Sequence, residues 1–273
     1  KKKAIVDQMK PKFIKQGQAN GHDPQILEKI WSDWEKFASY AFNKSHATCY
    51  SWVAYQTAYL KAHYPAEYMA ALMTRRFSQI TEITKLMEEC KALKIATLGP
   101  DINESQIGFG VNKKGEIRFG LAAIKGMGTS AAESIVSERE KNGPYKDIYD
   151  FAERVDLSNV NRKAFESLAY SGGFDSFGLQ REQFFGVSGR DSVFLDTIVR
   201  YGQLFQTEKA EQQNSLFGGM DAVAVMHPVA PKTEKWPTIE KLNKERELVG
   251  VYLSAHPLDE YSVVLNNMCN THC

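Results

Sequence analysis

With 273 residues, of which 43% are hydrophobic and 25% charged, the chain has enough apolar material for one large or two modest domains. A formal charge of +1 excludes a wholly basic protein that coats nucleic acid, although basic residues outnumber acidic ones over residues 1–100 and acidic residues prevail after them. No apolar run approaches the roughly 18–20 residues that span a bilayer, so we expect no membrane partner.

The chain opens with two predicted helices. The first covers residues 4–19 and ends at Asn20-Gly21, a pair that favours a helix C-terminus. The second begins at Pro24, because Asp23 is a good N-cap and proline suits the first helical position. Apolar residues recur along the second helix at helical spacing, which predicts one buried face.

Residues 42–74 form the most informative block of the chain. The polar cluster Asn43-Lys44-Ser45-His46 precedes a helix crowded with aromatic side chains, and Pro65 is well placed to begin another helix. Ser45 is predicted to cap the aromatic helix, and the cationic cluster lies where the helix dipole favours an anion. Because the aromatic helix is apolar on all sides, we expect it to be packed on two faces.

The helical pattern stops at Leu98-Gly99-Pro100, where we place the main domain boundary. The elements predicted elsewhere after residue 75 are a helix near 80–93, a hairpin of 109–111 with 116–119, helices from 120 to 207, a loop or mobile linker over 208–238, and a helix near 239–253. The sequence therefore predicts a mainly α fold with a small β-hairpin.

A glycine-containing turn is predicted at Ile124-Lys125-Gly126-Met127-Gly128. It has the apolar-x-Gly-apolar-Gly form of a helix-hairpin-helix motif, in which the apolar residues anchor the turn and the glycines let the backbone approach a ligand. The N–H groups of Gly126 and Gly128, with Lys125 and the helix start at Thr129, are then predicted to face a phosphate. We favour DNA binding that is independent of the base sequence over the alternative that this turn only connects two helices tightly.

A related pattern occurs further along the chain. A predicted helix over 161–170 is followed by Ser171-Gly172-Gly173-Phe174 and then by another helix. This turn departs from the apolar-x-Gly-apolar-Gly form, so DNA binding and a purely structural connection are equally open for it.

Several long segments resemble one protein family. They are FNKSH with the aromatic helix that follows it, LGPDINES at 98–105, EIRFGLAAIKGMG at 116–128 and ERELVGVYLSAHPLDEY at 245–261. In this order they resemble the C family of DNA polymerases, which includes the bacterial replicative polymerase III alpha subunit. Because members of that family are several times longer, we interpret the chain as a fragment.

The resemblance implies a helical fingers domain followed by a helical domain that carries a tandem helix-hairpin-helix motif and a small β-hairpin. The implied divisions are the C-terminal part of the fingers at 1–98, a clamp-binding domain at 99–222, and a linker and helix at 223–273 that lead toward an OB domain outside the chain. The implied location is the bacterial cytoplasm.

The segment Gln213-Asn214-Ser215-Leu216-Phe217 resembles the short Gln-x-x-Leu-Phe motif that binds the bacterial sliding clamp. In this interpretation Leu216 and Phe217 fill an apolar pocket, and the amide of Gln213 forms a hydrogen bond at its rim. The implied partner is the beta subunit of the polymerase III holoenzyme. Primer–template duplex and the other holoenzyme subunits are further implied partners.

The family resemblance implies a role for the polar cluster before the aromatic helix. Lys44 is expected to pair with a phosphate of the incoming deoxynucleotide, and Asn43 and His46 to face its base or sugar, although a helix-capping role for Asn43 or His46 stays open. In the family the catalytic aspartates and their Mg²⁺ ions belong to the palm domain. We therefore expect this chain to hold no catalytic residue, metal site or cofactor and not to extend a primer alone.

Three other interpretations remain. An error-prone paralogue of the same family is the closest alternative, and an independent helix-hairpin-helix module is a more distant one. A hydrolase or lyase built on His46 and Cys49 would need a base and an orienting group at workable geometry. The four scattered cysteines predict no disulfide framework, and Cys269, His272 and Cys273 lack a fourth zinc ligand.

Overall fold

The computed structural model describes residues 3–40, 44–188, 192–214 and 226–261. Its helices are α1 Lys3–Ala19, α2 Pro24–Tyr40, α3 Lys44–His63, α4 Pro65–Arg75, α5 Ile80–Ala92, α6 Thr129–Asn142, α7 Ile148–Arg154, α8 Arg162–Ser171, α9 Phe194–Asn214 and α10 Thr238–Val249. Its strands are β1 Thr97–Leu98, β2 Gly110–Val111, β3 Ile117–Arg118, β4 Val187–Ser188 and β5 Ser192–Val193. The predicted mainly α fold with a small β-hairpin is confirmed.

The chain divides into two compact units, and the division falls between Tyr59 and Leu60 in the sequence of α3. In the N-terminal unit, α1 packs on α2 through the rings of Phe13, Trp31 and Trp34, whose centroids lie 5.2–6.2 Å apart. The side chain of Asp23 caps α2 as predicted, since its Oδ1 accepts from the N–H of Gln25 at 2.8 Å. The predicted domain limits at residues 98 and 222 stay predictions.

Helix α3 differs from its prediction in two ways. It begins at Lys44, so Ser45 lies within the first turn rather than before it. None of its described side chains is buried, and the prediction of packing on two faces is wrong for the residues that the structure describes. The exposed apolar side chains of this helix are Tyr50, Trp52, Val53, Tyr55, Tyr59 and Leu60.

In the C-terminal unit, α4 and α5 lie against a three-stranded sheet with the order β1-β3-β2. The predicted hairpin of β2 and β3 is confirmed, with Val111 opposite Ile117. Strand β1 pairs with β3 in parallel, which the sequence analysis did not predict. The hydroxyl oxygen of Thr74 on α4 accepts from the N–H of Phe109 at 2.9 Å and so fastens the helix to the sheet.

The remaining helices enclose an aromatic core of Phe151, Phe165, Phe174, Phe184 and Phe194, all fully buried. Helix α7 lies against α9, and α8 lies against α10. Strands β4 and β5 form a second short hairpin within a stretch that was predicted to be helical. This packing brings α8 and α10 together beside the turn predicted at 124–128.

The predicted loop or linker over 208–238 is wrong for residues 208–214, which belong to α9. Residues 226–237 form a loop, as predicted, but it is held against the core. The hydroxyl of Tyr149 donates to the carbonyl of Pro228 at 2.6 Å, and the amide of Gln183 donates to the carbonyl of Pro231 at 2.9 Å. The ring of His227 stacks on Tyr149 with centroids 4.3 Å apart. These contacts fix a connection that the sequence suggested was mobile.

Candidate nucleic-acid interface

The turn Ile124–Gly128, called here the glycine hairpin, has the predicted form. Ile124 and Met127 are buried, whereas Lys125, Gly126 and Gly128 are exposed. The N–H of Met127 donates to the carbonyl of Ile124 at 3.0 Å and closes the turn. Gly126 has a φ of +89°, a conformation that side-chain-bearing residues rarely adopt. The two apolar residues therefore anchor the turn, as the sequence predicted.

Helices α8 and α10 each form a hydrogen bond with the glycine hairpin. The N–H of Lys125 donates to the carbonyl of Leu248 on α10 at 2.9 Å, and the hydroxyl of Ser167 on α8 donates to the carbonyl of Lys125 at 3.0 Å. A Cβ on Gly126 would lie 2.7 Å from Oγ of Ser167. The hairpin is therefore rigid before any ligand arrives, and its tip strongly favours glycine.

The hairpin leads directly into α6. Gly128 is the N-cap of α6 at φ −76°, and no side chain among the described residues caps the helix there. Thr129 and Ser130, in its first turn, are exposed. The first N–H groups of an α-helix have no partner within the helix, and together with the helix dipole they favour an anion. This end of α6 is thus a suitable site for a phosphate oxygen.

The second turn, Ser171-Gly172-Gly173-Phe174, is buried. Its Gly173 carbonyl accepts from the N–H of Ile102 at 2.9 Å, and the Gly173 N–H donates to the carbonyl of Leu168 at 2.8 Å. A Cβ on Gly172 would lie 2.1 Å from a guanidinium nitrogen of Arg181. Its backbone is thus occupied within the core, which favours the structural interpretation of this turn.

The LGPDINES segment at 98–105 is also hydrogen-bonded to residues of this core. Arg139 on α6 donates from Nη1 to the carbonyl of Ile102 at 2.9 Å and to that of Ser105 at 2.7 Å. Burial lowers the pKa of Arg139. The hydroxyl of Ser105 donates to the carbonyl of Phe119 at 2.7 Å. The segment that carried part of the family resemblance thus joins α6, the sheet and the second turn, and no local sequence signal indicated this role.

A buried ion pair fastens α10 to the same core. Nη1 of Arg181 donates to Oε2 of Glu245 at 2.9 Å, and Arg181 also pairs with Asp175. Burial by itself would raise the pKa of Glu245, but hydrogen bonds from Ser254, Arg181 and the N–H of Leu253 outweigh it and lower that pKa. No local sequence pattern indicated that these distant residues meet.

The predicted nucleotide-facing residues lie at the start of α3. Lys44 and His46 are exposed in its first turn, and the ring of His46 lies 4.3 Å from that of Tyr50, centroid to centroid. Asn43 lies outside the described residues. Lys44 and His46 belong to the N-terminal unit and the glycine hairpin to the C-terminal unit. Their roles toward a nucleotide stay predictions.

The clamp-binding prediction falls mostly outside the described residues. Gln213 is in the last turn of α9, and nothing is described of its side chain, whereas Ser215, Leu216 and Phe217 lie outside the described residues. Within the described ranges, no three His, Cys, Asp or Glu side chains gather as a metal ion requires. No described helix is long and apolar enough to cross a membrane.

Comparison with known families identifies the region around the glycine hairpin. A family model described as a helix-hairpin-helix motif matches residues 94–184, which include both the glycine hairpin and the buried second turn. In this chain the part before the glycine hairpin is a single 3₁₀ turn, Leu121–Ala123, rather than a full helix. The match confirms the predicted helix-hairpin-helix motif in this region, whereas its tandem form and its contact with DNA stay predictions.

The chain is similar along nearly its whole length to curated proteins named DNA polymerase III subunit alpha. It is 43% identical to the one from Chlamydia trachomatis over 255 residues, which are 91% of this chain and 20% of that protein. It is 38% identical to the Vibrio cholerae protein over 250 residues (91% and 21%) and 37% identical to the Aquifex aeolicus protein over 269 residues (98% and 21%). The resemblance to polymerase III alpha subunits is therefore confirmed, and the chain spans about a fifth of the length of these relatives.

Proposed function

We propose that this chain is part of the catalytic subunit of a bacterial replicative DNA polymerase and that its C-terminal unit holds duplex DNA. The observation that carries the proposal is the glycine hairpin, whose rigid, exposed backbone leads into the uncapped N-terminus of α6. It lies within the stretch that matches a helix-hairpin-helix family. The similarity to proteins named DNA polymerase III subunit alpha supports a role of this DNA binding in DNA synthesis.

The groups that bind phosphate in this proposal belong to the main chain. A phosphate oxygen can approach the N–H groups of Gly128, Thr129 and Ser130 closely because Gly128 carries no side chain. The exposed ammonium group of Lys125 adds a positive charge beside them. Since none of these groups faces a base edge, binding is independent of DNA sequence, as a replicative enzyme requires.

The start of α3 is the proposed contact for the incoming deoxynucleotide. Lys44 and His46 are exposed in the first turn of a helix, where an ammonium group and the helix dipole both favour a phosphate. Asn43 is proposed to act beside them. This role rests on the family resemblance of FNKSH and on the exposure of Lys44 and His46.

Sliding-clamp attachment is proposed for Gln213, Ser215, Leu216 and Phe217. The segment begins in the last turn of the long helix α9 and has the Gln-x-x-Leu-Phe form, with an adjacent pair of large apolar side chains. An apolar pocket on a clamp would bury both side chains at about 1.5–3 kcal/mol each. Other holoenzyme subunits are further proposed partners.

Nucleotidyl transfer is not assigned to residues of this chain. The Mg²⁺-dependent step needs clustered carboxylates, and within the described residues no such group of side chains is present. We propose that the 273-residue chain alone does not extend a primer in Mg²⁺ with all four deoxynucleotides.

Duplex binding by a Gly128→Val variant tests the proposed function. An added Cβ at Gly128 would have Oγ of Ser130 as its nearest neighbour, at 3.8 Å, so the variant is expected to fold. Its branched side chain would crowd the N–H groups, and the loss of a charge-assisted hydrogen bond worth about 1.5–3 kcal/mol weakens binding about tenfold or more.

The matched control for that experiment is Gly110→Val, whose added Cβ would have Cγ of Gln106 as its nearest neighbour, at 3.5 Å. Binding is measured by fluorescence anisotropy with a labelled duplex of mixed sequence, and folding by the melting temperature. If Gly128→Val binds duplex as well as the parent and Gly110→Val do, the hairpin is only a connector and the proposal fails.

A further inference from the structure

A cleft opens between α8 and α10 next to the glycine hairpin. It has a volume of about 410 Å³ and takes three lysines from three separate elements: Lys125 from the hairpin, Lys163 from α8 and Lys244 from α10. Tyr170 forms part of its wall. Sequence analysis did not connect these residues, because they lie far apart along the chain.

Lys163 joins the cleft to the hairpin. Its Cε lies 3.2 Å from the position that a Cβ on Gly126 would occupy, so its stem passes directly over the tip of the hairpin. The residue is exposed, and no ion pair is found for it within the described part of the chain. Its ammonium group is therefore available to a ligand that also touches the hairpin.

Aromatic rings hold Lys244 in position. Its Nζ lies 4.6 Å from the ring centroid of Trp236 and 5.0 Å from that of Tyr170, both within the range of cation–π attraction. Tyr170 stacks in turn on Phe185, with centroids 3.9 Å apart. This arrangement orders a long side chain that would otherwise lose conformational entropy on binding a ligand.

The charge of the cleft favours an anion. Its acidic side chains are Glu166 and Glu247, and Glu166 is already paired with Arg162 at 2.7 Å. Lys244 has a partly exposed partner in Glu240 at 3.4 Å, a kind of pair that is easily exchanged for a phosphate. Three lysines thus face Glu247, which forms no ion pair within the described part of the chain, and Glu166, which is paired with Arg162.

We propose that this α8–α10 cleft binds a second backbone phosphate of the DNA duplex that the glycine hairpin holds, with Lys163 and Lys244 as its charged contacts. The inference rests on the proposed function and extends it. Because Lys163 lies over Gly126, the hairpin and the cleft form one continuous surface, and a duplex that touches the hairpin can place a neighbouring phosphate there. The contact is with phosphate and adds affinity without sequence preference.

The test measures the salt dependence of duplex binding by the 273-residue chain between 50 and 200 mM KCl. Each neutralised phosphate contributes about −0.9 to the slope of log K against log salt concentration. Because both lysines contact the same phosphate, Lys163→Gln and Lys244→Gln are each expected to reduce the slope by between half and all of that amount and to weaken binding at 100 mM salt by roughly 3–8-fold. Lys163→Arg and Lys244→Arg keep the charge and are expected to bind like the parent.

Lys146→Gln is the control for charge alone. Lys146 lines no part of the cleft and follows the far end of α6, a helix about 21 Å long that begins at the hairpin. It is expected to leave the slope unchanged.

The outcomes separate the two proposals. If both glutamine variants keep the parent's slope while Gly128→Val still weakens binding, the cleft does not hold phosphate and only the hairpin function stands. If Gly128→Val has no effect, or the parent chain does not bind duplex at all, the proposed function itself is overturned. Equal losses in the lysine variants and in Lys146→Gln would mean that only overall charge matters, which also refutes the cleft.

Discussion

The backbone N–H of Lys125 donates to the carbonyl oxygen of Leu248 at 2.9 Å. Leu248 lies in the last turn of α10, where carbonyl groups lack partners within the helix. The bond therefore satisfies α10 and fixes the glycine hairpin in one step. As a result, the conformation of the surface proposed to face DNA depends on a helix that begins more than a hundred residues later.

The two glycines of the hairpin are expected to differ in their tolerance of alanine. Gly126→Ala places a Cβ at a φ of +89° and 2.7 Å from Oγ of Ser167, so it should lower the free energy of unfolding by about 1–3 kcal/mol. Gly128→Ala, at φ −76° and with Oγ of Ser130 at 3.8 Å as the nearest neighbour of the added Cβ, should lower it by less than about 1 kcal/mol, the scale of an N-cap change. Urea denaturation measures both, and equal effects would contradict the rigid-hairpin account.

The buried pair of Arg181 and Glu245 is expected to be important for stability. Glu245→Gln leaves the guanidinium of Arg181 without its buried carboxylate and should lower the free energy of unfolding by about 3–5 kcal/mol. Glu240→Gln on the same helix is the control, because its partly exposed pair with Lys244 contributes less than about 1 kcal/mol. A Glu245→Gln protein as stable as this control would show that the pair is not stabilising.

The same carboxylate predicts a pH dependence. Hydrogen bonds lower the pKa of Glu245 from its ordinary value of 4.5 in the folded protein, despite its burial. A lowered folded pKa means that the stabilisation is complete above the unfolded pKa and is lost as the pH falls below it toward the folded pKa. The stability difference between the parent and Glu245→Gln should therefore be largest near pH 7 and shrink below about pH 4.5. A difference that does not change with pH would contradict this assignment.

Arg139 is expected to hold the LGPDINES segment in place. Arg139→Met removes the donor from the buried carbonyls of Ile102 and Ser105 and should lower the free energy of unfolding by about 2–4 kcal/mol, because unsatisfied buried acceptors are unfavourable. Arg162→Met is the control, since its half-exposed ion pairs contribute less than about 1 kcal/mol. Thermal or urea unfolding measures the difference, and equal stability of the two variants would refute the structural role.

Clamp binding is expected to depend on Leu216 and Phe217. The chain should bind a dimeric bacterial sliding clamp with micromolar affinity or better, as two buried side chains and one hydrogen bond permit. The double variant Leu216→Ala/Phe217→Ala should abolish detectable binding, whereas Gln213→Ala should weaken it less.

The control for clamp binding is a double variant of Met226→Ala and Val229→Ala, two apolar side chains that are also exposed. It should bind the clamp like the parent, and a peptide spanning residues 211–219 should compete with the chain. Clamp binding by the Leu216→Ala/Phe217→Ala variant at the parent's affinity would place the contact elsewhere.

Local signals in the sequence were sufficient to predict most helices and the glycine hairpin. Asp23 and Pro24 start α2, Pro65 starts α4, and the glycine pattern at 124–128 predicts both its anchors and its exposed backbone. Each of these features depends on residues within a few positions of one another, so the chain specifies them without its tertiary contacts.

The tertiary structure determined which distant parts of the chain those elements contact. The apolar composition of α3 predicts burial but not which surface covers it, and its side chains are exposed in the described residues. The pairing of β1 with β3, the burial of the second turn and the contact of Arg181 with Glu245, 64 residues apart, all join distant parts of the chain. Local sequence thus determined the turn that presents backbone N–H groups. Only long-range packing determined which lysines lie beside it, because contacts between residues far apart in the sequence leave no local signal.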